Sequence, residues 1–394
     1  MRNQLSLDLK NHVPTVSSAV ILITLLVILL GHFFSTQAEP DYSSFQMFGG
    51  YSTANEQAKA TLRILKQTKA PTSGQKQQMM VLQRQLAYFD QISLEYAGTK
   101  ATPPTATVQT ITPTILKLRR FELKQAQAGL TKYLAPISYP GQLITGQSLA
   151  VRRALVRQNT ILVRERLGEI PTTKTDAPAP NYLLNFFAQP WFPVLLLAAL
   201  AVHCSWIMTA DKRDATIYLS NMVPLPKAKL WVTRLLSCWL LISGEVLVAL
   251  GLTFGLTGIK FGWGSWRYPL FSGRDYRLMT IGTYTAKLLL LLMAGAFLLV
   301  VVSGVLALVS GQLGVNLMGL VVLLLTSLPA FLNLTGVRTV ARLLPGAGLN
   351  LNAVVLEQSR SLADNYWFAL GMTVVWCLIG GLIGVAIIRH RQRL

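Results

Sequence analysis

The side chains in this sequence that could do chemistry are few, and their spacing forbids most of it. Four histidines stand at 12, 32, 203 and 390, and three cysteines at 204, 238 and 377. No pair of histidines has the helical H-E-x-x-H spacing of a zinc site, and three scattered cysteines make no metal centre. The cysteines lie in or beside apolar runs, where a free thiol behaves as a small hydrophobe. There is no G-x-S-x-G elbow and no Cys/His pairing that would raise a nucleophile. There is also no G-x-x-x-x-G-K-[ST] loop, so the chain has no phosphate cradle for ATP. The expectation is a protein that is not an enzyme, with no metal and no cofactor bound directly.

Two features remain. The first is Glu245, which sits inside the apolar run LLISGEVLVALGL. An unpaired charge there would cost several kcal/mol in a membrane. Either it contacts a substrate or a proton, or it is a protonated or hydrogen-bonded carboxyl packed in a helix bundle near His203. The second is ADKRDATIYLSNMVPLPKAKLWVTRLLS, residues 210–237. It opens with the charged cluster Asp211, Lys212, Arg213 and Asp214 and turns at Pro224 and Pro226. Lys227 follows, and Arg234 leads into the next apolar run. A short amphipathic helix over 215–222 would suit docking into a partner's groove, and two prolines fix the turn that follows.

The elements that must position these residues are membrane helices. Hydrophobic residues make up 52% of the 394 and charged residues 13%, about half the charged share of soluble domains. The apolar residues come in runs long enough to cross a bilayer, about 20 residues each. Spans are expected at 16–34, 190–208, 231–257, 284–309, 313–334 and 366–388. The first is read as an uncleaved anchor rather than a secretory signal. The fold class is therefore an all-α membrane protein with about six transmembrane helices. Its parts are a lead-in and first span (1–35), a hydrophilic block (36–188), and a five-helix membrane part (189–394) carrying the 209–230 segment.

The 36–188 block reads as a small, mostly helical extracytoplasmic domain. In its second helix Met79, Leu82, Leu86 and Phe89 recur at three- and four-residue spacing, an apolar stripe suited to the domain's own core. The Thr/Pro-rich stretch ATPPTATVQTITPT reads as a break, and PTTKTDAPAP as a linker. Between the third and fourth spans, FGWGSWRYPLFSGRDYRL has the aromatic and basic character of a membrane interface. The stretch 335–365 is too broken to cross and suggests a re-entrant hairpin.

The net charge is +20. The basic residues are scattered between spans, which points to anionic lipid head groups and gives no nucleic-acid surface. Lys212, Arg213, Lys227, Lys229 and Arg234 share a side with Arg389, Arg391 and Arg393. The positive-inside rule makes that side, and both termini, cytoplasmic in the cell membrane. Lys260, Arg267, Arg274, Arg277, Arg338, Arg342 and Arg360 fall on the other side.

Residues 210–237 resemble the coupling segment of ABC-2 type transporter permeases. In that family a charged cluster after the second span is followed by an amphipathic helix, a proline turn and a basic residue leading the third span. Six spans, an amphipathic lead-in, a variable outer region after span one and re-entrant pieces before the last span also match. The cluster here is D-K-R-D, where many members carry a glutamate-rich E-x-x-x-G stretch. The resemblance implies an ATP-driven exporter subunit for a peptide, lipid or drug-like substrate. It further implies a separately encoded ABC ATPase that consumes the ATP, and a second permease, either another copy or a sister chain. The alternative is a membrane-anchored peptide-capture or immunity protein without a motor.

Overall fold

The computed structural model of the chain describes residues 16–37, 43–98, 104–135, 148–167, 178–189, 191–213, 226–273, 276–328, 331, 343–357 and 365–393. The elements run α1 (Val16–Gln37), α2 (Ser43–Gln67), α3 (Ser73–Gly98), α4 (Pro104–Gln127), a 3-10 turn (Thr131–Tyr133), α5 (Leu149–Arg164) and α6 (Ala179–Ala188). They continue with α7 (Phe192–Met208), α8 (Ala210–Arg213), α9 (Lys227–Phe261), β1 (Pro269–Ser272), β2 (Arg277–Thr280) and α10 (Ile281–Val309). Last come α11 (Leu313–Leu325), a second 3-10 turn (Pro345–Leu349), α12 (Leu351–Val355) and α13 (Tyr366–Arg393).

Among the described residues α9, α10 and α13 are long and apolar enough to cross a membrane. A fourth span results if α6 and α7, bent by 82° at their break, are one crossing. At 1.5 Å per residue the 35 residues of α9 extend about 50 Å, more than the hydrocarbon core. Val16–Gly31 and α11 are apolar but shorter. This is a helical protein consistent with multiple membrane passes. Of the run expected to span 313–334, Leu313–Leu325 is helical and 326–328 form a turn, while most of the remainder lies outside the described residues. Thr326 Oγ1 donates to the Leu323 carbonyl and Ser327 Oγ to the Leu324 carbonyl, each at 2.6 Å. These hydroxyls compete with the helical backbone pattern.

The chain divides into two compact units. One comprises 36–181 and 263–283; the other comprises 1–35, 182–262 and 284–394.

In the first unit α2, α3, α4 and α5 pack in sequence, each on the next. Their core gathers Tyr51, Ala54, Ala58 and Leu62 of α2, Leu82, Leu86, Phe89 and Ile92 of α3, and Ile111, Ile115 and Leu118 of α4. The spacing of these residues keeps one face of each helix apolar, and Met79 packs half-buried against them. A capping box starts α3: the Gln75 amide donates to Thr72 Oγ1, and the Thr72 amide to Gln75 Oε1 at 2.8 Å. Gly129 ends α4 at φ +75°, which lets the Leu130 amide reach the Gln125 carbonyl at 2.9 Å. The Thr/Pro-rich stretch is no break beyond residue 103. Pro104 takes the first helical position, where a missing amide proton costs nothing, and α4 runs on through Pro113.

Residues 269–280 form an antiparallel hairpin, with Pro269 opposite Thr280 and Ser272 opposite Arg277. The all-α expectation is thus modified by two four-residue strands. Gln158 of α5 donates to the Pro269 carbonyl at 3.2 Å, tying hairpin to helix.

A polar knot lies inside the helices of this unit. Glu122 accepts from Gln85 Nε2 at 3.1 Å and from Arg119 at 3.0 Å, and lies 3.5 Å from Arg152. Gln85 also takes the Ala135 amide proton at 2.9 Å. All four side chains are buried. Burial pushes the Arg152 guanidinium below its usual range; Glu122 opposes this and Arg119 adds to it.

In the second unit several hydroxyls and ring N–H groups of the long helices are satisfied internally, as an apolar surround favours. Thr233, Ser237, Thr253 and Thr257 of α9 each donate to the carbonyl four residues back. Trp239 donates to the Met293 carbonyl and Tyr366 to the Lys287 carbonyl. The broken stretch 345–355 is buried or half-buried throughout, and Tyr284 donates to Asn352 at 2.8 Å. A Cβ on Gly346 would strike Thr326 Oγ1 and the Leu323 carbonyl. Irregular backbone here is enclosed by protein, the condition under which it is tolerated at membrane depth.

Candidate functional site

The charged turn after α7 is held at three points. Thr209 closes α7, donating its hydroxyl to the Ser205 carbonyl at 2.7 Å, and the single turn α8 carries Asp211, Lys212 and Arg213. Asp211 accepts both terminal nitrogens of Arg234, 23 residues on in α9; the Nη2–Oδ1 distance is 2.9 Å. This fork-on-carboxylate geometry fixes direction as well as distance. Arg213 stacks on the Trp206 ring, 3.6 Å from its centroid, and donates to the Trp206 carbonyl at 3.2 Å. A guanidinium over an indole is a favourable cation–π pair.

Lys212 reaches a third helix. Its Nζ lies 3.5 Å from the Ala307 carbonyl in the last turn of α10, and its stem lies against Gly311. Gly311 has φ +62°, and a side chain there would collide with the lysine. Arg391 of α13 donates to the Val309 carbonyl at 3.3 Å. The last turn of α10 has no basic residue of its own. Lys212 and Arg391 therefore supply the positive charge that the negative end of its dipole favours. One end of this unit thus joins α7, α8, α9, α10 and α13 through cations.

Pro226 precedes α9 with extended-type backbone, φ −53° and ψ 127°, and Lys227 is the exposed first residue of the helix. Asp214, Pro224 and the expected amphipathic helix 215–222 lie outside the described residues.

Glu245 is brought to His203 of α7: Oε2 and Nε2 are 3.2 Å apart, with the side chains 9% and 3% exposed. The contact lacks hydrogen-bond alignment, and neither Glu245 oxygen nor His203 Nε2 has another hydrogen-bond partner. Two residues along α7, Ser205 donates to Asn316 of α11 at 3.2 Å, and Asn316 donates to the Ser303 carbonyl of α10 at 2.9 Å. Asn316 had no signal in the sequence beyond being the one amide within Leu313–Leu325. Trp206, Gly311 and Arg391 likewise gain meaning only through contacts far along the chain.

In the other unit an open groove of about 450 Å³ is lined by Gln57, Thr61, Gln78, Leu82, Lys132 and Tyr133, among others. Its size falls in the range of small-ligand sites. Among the described residues no three His, Cys, Asp or Glu side chains cluster as a metal ion would need.

Comparison with family models, with curated proteins and with solved structures gives no match.

Proposed function

We propose that this chain is the membrane-spanning permease subunit of an ATP-driven exporter of the ABC-2 type. It works with a separately encoded ABC ATPase and a second permease, and it moves a peptide, lipid or drug-like substrate. The observation that carries the reading is the fastening of the 211–213 turn to α7, α9 and α10 at once. A push on this turn from a partner is transmitted to three long helices as a rigid-body movement, not absorbed by a loose loop.

Six spans, with both termini cytoplasmic, complete the reading. Val16–Gly31 and α11, extended by residues beyond Leu325, add to the longer helices. The cation-rich end with Lys212, Arg234 and Arg391 faces the cytoplasm and its anionic lipids. Residues 36–181 lie on the outer face. The hairpin segment 263–283 belongs to the same compact unit, which supports this topology because two crossings, α7 and α9, separate the two stretches. The groove beside Lys132 offers a place for substrate to be received there.

The test is the paired change Arg213→Glu with Asp214→Lys in the assembled transporter. ATP hydrolysis is expected to lose its dependence on substrate while the chain stays in the membrane at normal level. Coupled transport at the unaltered rate would refute the role of the segment.

A further inference from the structure

The coupling turn leaves one buried titratable cluster unused. His203 and Cys204 of α7 face Cys238 and Glu245 of α9, with Cys204 close enough to Cys238 to hydrogen-bond and within the field of Glu245. Between Arg234 and Lys260, Glu245 is the one charged residue of α9, and α7 has no ionisable group besides His203 and Cys204. Among the described residues the titratable groups on neighbouring helices are few: α10, which meets α9 where Trp239 donates to the Met293 carbonyl, carries Tyr284 and Lys287 near its start, the lysine set over the Tyr366 ring. α11, packed on α7, contains no titratable residue, and α13, packed on α9, offers only Tyr366 and Cys377 in its apolar length.

Among the described residues Glu245 and His203 form no ion pair except with each other. Their possible charge states differ sharply in cost. With both groups protonated an unpaired imidazolium remains in the bundle, and with both deprotonated an unpaired carboxylate remains. Either leaves a buried charge without a partner, which costs several kcal/mol. With one proton between the two groups the site is neutral overall, whether the proton sits on Oε2 or on Nε2. Separation of 3.2 Å is close enough for it to pass from one to the other with little movement.

We propose that His203 and Glu245 together are a proton-binding site within the membrane unit, holding a single proton that locks α7 onto α9. Motion that parts these helices exposes both groups to a new surround; once hydrated, the pair takes up a second proton below about pH 4.3 and releases its one proton above about pH 6.5, the ordinary values of the two groups. The movement of the helices is thereby linked to pH on the side to which the site opens, by the reciprocity that governs all coupled binding. This holds whether or not the chain works with an ATPase.

The full chain, in lipid nanodiscs and labelled with 15N-histidine, provides the test. His12→Gln, His32→Gln and His390→Gln, which leave the pair untouched, assign the other three imidazoles and so isolate the His203 signal. The proposal expects that signal to stay fixed from pH 5 to 9 and to move when Glu245 becomes Gln. It also expects thermal unfolding of His203→Ala, Glu245→Ala and the double variant to be non-additive, with the double variant more stable than Glu245→Ala. A His203 signal that titrates like a hydrated imidazole, near 6.5, would overturn it. So would a signal that Glu245→Gln leaves in place, or additive losses in the cycle.

Discussion

Removing Glu122 should damage the 36–181 unit far more than removing Arg152, although both belong to one knot. Glu122→Ala leaves Arg119 and Arg152, 4% and 8% exposed, without the carboxylate that both face. Breaking a buried pair from one side costs roughly 3–5 kcal/mol, because the remaining charge is stranded. Arg152→Met, in contrast, leaves Glu122 paired with Arg119 at 3.0 Å and hydrogen-bonded by Gln85 at 3.1 Å. It also removes a guanidinium whose burial already works against its charge. Its cost should stay within about 1.5 kcal/mol, as for a volume-conserving replacement in a core. Hydrogen exchange by mass spectrometry on the full chain reads this locally. At 1.4 kcal/mol per factor of ten, Glu122→Ala should speed exchange in α3, α4 and α5 between about a hundredfold and a few thousandfold. Arg152→Met should change it by less than about tenfold, and adding it to Glu122→Ala should recover part of the loss. Equal damage from the two single changes, or less than tenfold acceleration in Glu122→Ala, would refute the reasoning.

Two further outcomes follow from contacts in the membrane unit. Gly346→Ala should lower thermal stability in detergent by about 1–3 kcal/mol, since its methyl meets Thr326 Oγ1 and the Leu323 carbonyl. Gly371→Ala should be silent, since nothing lies within 4 Å of a Cβ there; a reversed order of the two melting temperatures would contradict the burial of the 345–355 stretch. Asp211→Arg and Arg234→Asp should each destabilise the fold, and the charge-swapped double variant should recover about 1 kcal/mol relative to their sum. Strict additivity in that cycle would mean that the two side chains do not pair in solution.

The parts of the fold that are periodic could be read from the sequence. The α3 stripe of Leu82, Leu86 and Phe89 is a core face because the period of the helix dictates it, and Ile115 and Leu118 of α4 continue the same core. Punctuation was harder. Pro104 and Pro113 suggest a break, but a proline is harmless at the first helical position, and burial of Ile111, Ile115 and Leu118 outweighs the amide missing at 113. Thr326 and Ser327 look like ordinary members of an apolar run until their hydroxyls turn back onto carbonyls. The strands PLFS and RLMT are too short for alternation to register. In the 211–213 turn the residue types were visible, but what each one touches was not. Lys212 meets Ala307 across 95 residues and Asp211 meets Arg234 across 23, and no local rule encodes such distances.

The central claim is that this membrane unit is moved by a separate ATPase. The most direct measurement is purification of the full chain from its native membranes in mild detergent, with every stoichiometric companion identified by mass spectrometry. The account predicts a companion carrying a phosphate-binding G-x-x-x-x-G-K-[ST] loop, present in equal amount. A chain that emerges without such a companion in two different detergents, each shown to preserve a known membrane complex, would contradict it.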